Sequence, residues 1–229
     1  LNSLYPHLIM QYNISPETIT DLKLPCSVDE LLSKSIDTSV LNEYDYTTTA
    51  NGWCYRKDKR GFLPELMINM YRDRSNYKKA MLKAEQQYEH DKSNKDIQKE
   101  ISRLNNLQMA LKILLNSAYG ALANAYFKYY DLRMAEGITT SGQLSIRWMA
   151  NKLNEYLNKA LKTDGVDYVI AIDTDSIYLT LETLIETTAG DKSIEQKIKY
   201  MDKICEGVIQ PLINKGYQEL ADYMNAYEQ

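Results

Sequence analysis

Two long stretches of the chain place apolar residues at helical spacing, residues 61 to about 88 and 96 to about 115. A short polar stretch around Asp91-Lys92-Ser93-Asn94 lies between them. Helices joined by so short a connection must turn back on one another, so the pattern predicts an antiparallel helix pair. Residues 139 to 161 form a third helix of the same period, stopped near Asp164-Gly165. Residues 193 to about 223 are expected to be helical again, with an interruption near Pro211. Two short β-rich runs, 168–172 and 177–181, flank Asp173-Thr174-Asp175-Ser176 and predict a hairpin. Residues 21–60, rich in Ser, Thr, Asp and Gly, are expected to be irregular. No repeat or low-complexity tract breaks the pattern. The strands are outnumbered by helices, and the fold class is α+β.

Charge decides less in total than in distribution. The 229 residues carry a formal net charge of −4, which by itself argues against a nucleic-acid binder. Residues 1–55 contribute −5, 56–112 contribute +6, 113–163 contribute +3 and 164–229 contribute −8. A basic middle is therefore flanked by acidic ends. For 83–103, interleaved Lys and Glu on solvated helix faces are the favoured explanation, ahead of a basic arm projecting toward an anion. No apolar run approaches the roughly 18–20 residues of a membrane helix, so a spanning protein is excluded. Cys26, Cys54 and Cys205 are odd in number and widely spaced, which argues against a disulfide framework or a zinc site and for a reducing compartment. Tyr occurs 19 times against two Phe, so much aromatic surface carries a hydroxyl that needs a partner. The first residue is Leu1 and no basic-then-apolar leader follows, so the chain is expected to be a piece of something longer.

Four clusters could carry chemistry. Asp173 and Asp175 stand two apart at a tight turn, where strand alternation alone would put both on one face. Carboxylates held that close repel unless a cation sits between them, and their hard oxygens suit Mg²⁺. Asp-Thr-Asp is equally good turn chemistry, so spacing leaves both readings open. Lys112, Asn116, Tyr119 and Gly120 fall at i, i+4, i+7 and i+8 and share one helix face. That face could hold a phosphate and stack a base or sugar, with Gly120 permitting close approach, or be an ordinary solvated stripe. Arg74 and Lys78, at i and i+4, could grip a triphosphate, although Arg72, Lys79 and Lys83 crowd the same helix. At the start of the chain, Ser3-Leu4-Tyr5-Pro6 could form a backbone amide cradle capped by a ring.

In this order the four clusters resemble the motifs of family B DNA polymerases, above all those of T-even-type bacteriophages. Leu1-Asn-Ser-Leu-Tyr-Pro6 is similar to the first polymerase motif, Arg74 and Lys78 to the basic pair of the fingers, Lys112 to Gly120 to the second motif and Asp173-Thr-Asp-Ser176 to the third. Tyr129-Tyr-Asp-Leu-Arg133 and Ile138-Thr-Thr140 add to the likeness, which is weakest over 21–60. The resemblance implies a palm (a small antiparallel sheet with packed helices) formed by residues 1–60 and 123–229, and a fingers helix pair over 61–122. It implies two Mg²⁺ ions, with Asp175 and Asp173 as catalytic metal ligands and the Leu1 carbonyl facing a metal. Ser3 and Leu4 would offer N–H groups to the triphosphate, and Tyr5 would stack under the sugar and exclude a 2′-hydroxyl. Arg74, Lys78 and Lys112 would hold phosphates, while Asn116, Tyr119 and Gly120 would shape the base-pair pocket. The implied partners are primer-template DNA and a dNTP, together with exonuclease and thumb modules and a sliding clamp in a complete polymerase. The implied setting is the cytoplasm of an infected bacterial host.

The sequence departs from the family pattern in four places. The family has an Asp immediately before the position of Leu1, so two carboxylates stand where three are expected, and the chain alone is expected to be inactive. Ala171-Ile172 replace the usual Tyr-Gly before the first Asp of the hairpin. The connection from Lys83 to Lys112 is short, implying stubby fingers, and neither exonuclease nor thumb has a counterpart. Other readings are one subunit of a split polymerase, a glycosyltransferase using Asp173 and Asp175 with a divalent ion, and a non-catalytic nucleic-acid-binding module.

Overall fold

The computed structural model describes residues 4–228. In chain order its elements are α1 (Leu4–Gln11), β1 (Ile19–Lys23), α2 (Val28–Leu32), α3 (Ser39–Tyr44), β2 (Tyr46–Thr48), β3 (Trp53–Arg56), α4 (Phe62–His90), α5 (Lys95–Leu122), α6 (Leu132–Leu161), β4 (Val169–Asp173), β5 (Ser176–Leu179), α7 (Glu182–Ala189), α8 (Ile194–Ile204) and α9 (Gln210–Tyr223). The class is α+β, as expected. The two long periodic stretches become α4 and α5, packed along one another and joined through Asp91–Asn94, where Asn94 caps α5 by accepting from the Asp96 and Ile97 N–H groups.

The expectation of an irregular 21–60 is corrected. That segment supplies most of a three-stranded antiparallel sheet ordered β1-β3-β2, with two short helices inserted. Thr47 pairs with Tyr55 and Thr48 with Cys54, and all four are fully buried. Strands of three to five residues are too short to show alternation, and threonines placed inside rather than out hide the apolar face. Their hydroxyls find carbonyl partners: Thr47 Oγ1 donates to that of Met224 (3.3 Å) and the neighbouring Thr49 Oγ1 to that of Trp53 (3.1 Å).

Two helix boundaries also differ. α6 begins at Leu132 rather than near 139, because the Asp131 side chain accepts from the Arg133 N–H and caps the helix one motif earlier. Near Pro211 there is no break. A π-helical turn, Cys205–Ile209, widens the backbone just ahead of the proline, whose ring would clash with an α-helical carbonyl, and the helix continues.

The main core gathers around α6. Met134, Ile138, Leu144 and Trp148 meet Leu8 and Ile9 of α1, Leu115 and Leu122 of α5, Met67 of α4, Tyr55 of β3 and Leu220 of α9. One buried amide sets the angle between α1 and α4. Asn13, left-handed at φ 52° just past α1, donates to the Arg56 and Lys59 carbonyls (2.7 and 2.8 Å) and accepts from the Gly61 N–H (2.8 Å). Gly61 has no side chain to cap α4, and Glu17 does so instead, accepting from the Phe62 N–H at 2.6 Å. Burial pushes the Glu17 carboxyl up, but hydrogen bonds from Ser15 and Phe62 outweigh it and hold the group below its ordinary range.

Candidate nucleotide site

α1, α4, α5 and the β4–β5 turn meet around a cleft of about 430 Å³. α1 contributes Leu4 and Tyr5, α4 contributes Arg74, and α5 contributes Lys112, Asn116 and Tyr119 from successive turns of one face. The hairpin closes the opposite side with Thr174 and Asp175. These four segments span 172 positions of sequence, from Leu4 to Asp175, and the fold brings one surface of each together.

The walls differ in stiffness. The Tyr5 and Tyr119 rings meet in a tilted pair, 4.8 Å between centroids and 48° between planes, tying the start of α1 to the end of α5. His7, two residues on, lies edge-on to Tyr71 of α4 at 4.8 Å, and burial holds its imidazole below the ordinary value. Arg74 is half-buried, and its Nε, out of contact with solvent, has no hydrogen-bond partner among the described residues. A guanidinium left with an unused donor in a cleft is matched by an anion entering it. Lys112 and Asn116 are exposed on the same wall.

The hairpin is thinner. Asp173 ends β4 and pairs with Ser176, the Asp175 N–H donates to the Asp173 carbonyl, and Ser176 Oγ donates to the same carbonyl at 3.1 Å. Thr174, at the tip, is left-handed at φ 44°, a conformation that a β-branched residue adopts under strain. That reversal turns the half-buried Asp175 into the cleft, whereas Asp173 is exposed and does not line it. β4 carries a bulge between Val169 and Ala171, which leaves Ile170 and Ile172 facing solvent.

Of the residues singled out in the sequence, the cleft thus collects Leu4, Tyr5, Arg74, Lys112, Asn116, Tyr119 and Asp175. Lys78 is exposed one turn along α4 and Gly120 is exposed at the end of the α5 stripe, neither lining the cleft, and beyond its own helical turn and chain neighbours nothing described lies within 4 Å of where a Gly120 Cβ would be. Leu1 and Ser3 lie outside the described residues. Sequence reasoning overlooked Thr174, which lines the cleft and whose placement is visible only from its backbone angle.

Mg²⁺ takes hard oxygens and is usually held by one or two carboxylates together with substrate phosphates and water. The donor set here fits that mode: Asp175 faces the cleft, Asp173 stands beside it on the same turn, and two cationic side chains suited to phosphate lie across from them. Among the described residues no group of three His, Cys, Asp or Glu side chains is gathered as a self-sufficient metal cage. Nor is any described helix long and apolar enough to cross a membrane.

The sequence model of DNA polymerase family B matches residues 1–208. The chain belongs to DNA polymerase family B. Within the family it is similar to the DNA-directed DNA polymerase of Enterobacteria phage T4, 34% identical over 270 aligned positions that cover all of this chain and 30% of that protein. It is also similar to the DNA-directed DNA polymerase of Escherichia phage RB69, 31% identical over 98% of this chain and 29% of that one. A DNA polymerase beta of African swine fever virus is 28% identical over 98% of this chain and 19% of its own length. The chain therefore spans about 30% of the length of the phage family members it matches.

Proposed function

We propose that this chain is the palm-and-fingers part of a DNA-directed DNA polymerase, and that the cleft receives the incoming dNTP. One observation carries the reading: Arg74, Lys112 and Asp175 line one cleft together with Tyr5 and Tyr119, whose rings meet at 4.8 Å. Residues 61–122 would be the fingers and the remainder the palm. Arg74 and Lys112 bind the β- and γ-phosphates through charge-assisted hydrogen bonds, and Lys78, one turn outward, meets the triphosphate when the helix pair moves inward. Tyr5 packs under the sugar and leaves no room for a 2′-hydroxyl, while Asn116, Tyr119 and Gly120 border the base. Leu4 would offer its backbone N–H to the phosphates, and the family resemblance would add the Ser3 N–H there and the Leu1 carbonyl as a metal ligand.

Asp175 and Asp173 would hold Mg²⁺, and two such ions are expected in the complete enzyme. Bound Mg²⁺ supplies charge neutralisation on the attacking and leaving oxygens of an in-line displacement. In that reaction the primer 3′-hydroxyl oxygen forms a bond to the α-phosphorus, the bond to the bridging oxygen breaks, and pyrophosphate leaves. The chain's own part is to orient the triphosphate and exclude mismatched sugars.

Equilibrium titration with a fluorescent dNTP in Mg²⁺ tests the reading. Lys112→Ala is expected to weaken binding by about tenfold, the worth of one charge-assisted contact. Asp175→Asn is expected to abolish the Mg²⁺ dependence, and Tyr5→Ala to let the matching ribonucleotide bind as well as the dNTP. Binding that ignores both Lys112→Ala and Asp175→Asn would overturn the assignment. Mg²⁺-dependent capture of a nucleotide-sugar without dNTP would favour the glycosyltransferase reading, and DNA binding with no nucleotide binding would favour a non-catalytic module.

A further inference from the structure

The nine residues between α5 and α6, 123–131, form a loop closed on itself. The Asp131 N–H donates to the Leu122 carbonyl at 3.2 Å across its base, and the Phe127 and Tyr130 N–H groups donate to the Asn124 and Phe127 carbonyls (2.9 and 3.0 Å). Asn124 Oδ1 accepts from the Tyr126 N–H at 3.0 Å and adds a further local turn. Tyr129 anchors the loop. It packs against the main core, and its ring meets Phe62 of α4 at 5.0 Å and Phe127 at 5.8 Å. The neighbouring rings are given to solvent instead. Phe127 is 37% exposed, Tyr130 40% and Tyr126 99%, so the described residues cover almost none of Tyr126. Single apolar side chains scattered over a surface need no explanation, but three aromatic rings on one braced loop form a patch.

The charges beside the patch are mainly positive. Lys128 Nζ lies 5.3 Å from the Tyr129 ring centroid, and the Arg56-Lys57-Asp58-Lys59-Arg60 stretch leads through Gly61 into Phe62. Arg56 and Arg60 are engaged by Asp58, Glu65 and Glu228, whereas Lys59 and Lys128 are exposed. Open ring faces set among cations match a polyanion whose units are themselves flat and aromatic. We infer that loop 123–131 is a stacking platform for single-stranded DNA, with Tyr126 as the ring on which an unpaired base lies and Lys128 as a phosphate contact. The choice of DNA rests on the reading of the chain as part of a DNA polymerase. The place of the loop agrees with it, since it begins four residues after Tyr119, which lines the cleft. In a duplex the base faces are stacked on one another and open to no side chain, so the platform selects unpaired nucleotides. A membrane surface also attracts rings and cations, but anchoring there needs a continuous apolar face. Here Asn124, Lys128 and Asp131 interrupt the rings within one tight turn.

Fluorescence anisotropy of a labelled oligothymidine of about 16 nucleotides, without Mg²⁺ or dNTP, tests this on the whole chain. Tyr126→Ala is expected to weaken binding about tenfold and to leave the melting temperature unchanged, because so exposed a ring supports nothing beneath it. Tyr126→Phe and Tyr126→Trp keep a ring face and are expected to bind within about twofold of the parent. Salt separates stacking from charge. The slope of log affinity against log salt is expected to stay the same in Tyr126→Ala and to become shallower by about 0.7 in Lys128→Ala. Binding by Tyr126→Ala within about twofold of the parent would overturn the inference, and so would an equal loss in Tyr126→Phe, which would mark a hydroxyl contact. A blunt duplex bound as tightly as the single strand, and weakened as much by Tyr126→Ala, would also overturn it. So would capture by phosphatidylglycerol vesicles with no binding of the oligonucleotide. The dNTP titration is run alongside, and Tyr126→Ala is expected to leave it unchanged. If dNTP binding ignores Lys112→Ala and Asp175→Asn while Tyr126→Ala still weakens the oligonucleotide, the cleft assignment fails and the platform stands. The reverse pattern removes the platform alone.

Discussion

The two antiparallel sheets of this protein use the same local pairing to opposite ends. In the first, Cys54 and Tyr55 of β3 and Thr47 and Thr48 of β2 are fully buried, with α6, the end of α9 and the Asn13 amide closing over them. In the second, Ile170 is 70% exposed and Tyr178 56%, and only one side of the ribbon touches the body. A two-stranded ribbon is marginal in water without a partner on one face. The comparison suggests a division of labour. The buried sheet fixes α1 and α6 and hence the wall carrying Tyr5, while the hairpin presents its carboxylates on a support that a bound ligand can complete. Their turns differ in the same sense. The β2–β3 turn places Gly52 at φ 88°, where glycine is at ease, whereas the β4–β5 turn places Thr174 at φ 44°, where threonine is not.

The first way to break the contrast is Gly52→Val. A Cβ at Gly52 would lie 2.1 Å from the Leu24 carbonyl oxygen, in a backbone conformation that a β-branched side chain resists. Leu24 follows β1 and Gly52 precedes β3, and the Leu24 N–H donates to the Gly52 carbonyl at 2.8 Å, so the two backbones are held together and cannot part easily. We expect a loss of about 4 kcal/mol or more, read by urea denaturation or as absence of cooperative unfolding. A loss below about 1 kcal/mol would mean that the sheet is no fixed platform.

Next in size is Tyr55→Ala, a truncation at full burial in the central strand. It is expected to cost about 3–5 kcal/mol in the same denaturation experiment, with the transition remaining single because the sheet and α6 share one core. A biphasic transition would show the sheet and the helices to be separable.

These two positions lie in the part of the fold that was least legible in the sequence. α4, α5 and α6 could be read because their apolar period persists over many turns, and the hairpin because Asp-Thr-Asp sits between two β-rich runs. The three-stranded sheet could not, since its strands are brief and its burial comes from elements far away in sequence, such as Met224 over Thr47. The site divides in the same way. Lys112, Asn116 and Tyr119 are legible as one helical stripe, and Asp175 as turn chemistry, because each depends on local spacing. That Asp175 and not Asp173 enters the cleft depends on a single backbone angle at Thr174. No local pattern encodes it.

A gain of stability should be available at the hairpin where none is at the buried turn. Asn tolerates the left-handed region better than a β-branched residue does, so Thr174→Asn is expected to stabilise the ribbon by about 1 kcal/mol. The loss of the Thr174 hydroxyl's hydrogen bond to Asp173 Oδ1, 3.2 Å and exposed, offsets little of this. Because the ribbon is joined to the body along one side, the gain should appear as slower amide exchange over residues 169–179 and only faintly in the global midpoint. Equal protection in both proteins would show that the turn stores no strain.

The smallest effect is the sharpest complement to Tyr55→Ala. Tyr178 pairs with Ala171 in the hairpin and is a tyrosine in an antiparallel strand, just as Tyr55 is, but its ring lies mostly in water. Truncating it removes little buried area and leaves no cavity, so Tyr178→Ala is expected to change global stability within about 0.5 kcal/mol. The same substitution thus differs severalfold in cost between two strands of similar local geometry, and the whole of that difference comes from what covers them. A loss at Tyr178 approaching that at Tyr55 would require the exposed face of the ribbon to be covered in solution, for instance by a second copy of the chain, and would then make the midpoint depend on protein concentration. A concentration-independent midpoint with a small loss leaves the ribbon as the open, lightly held wall of the cleft.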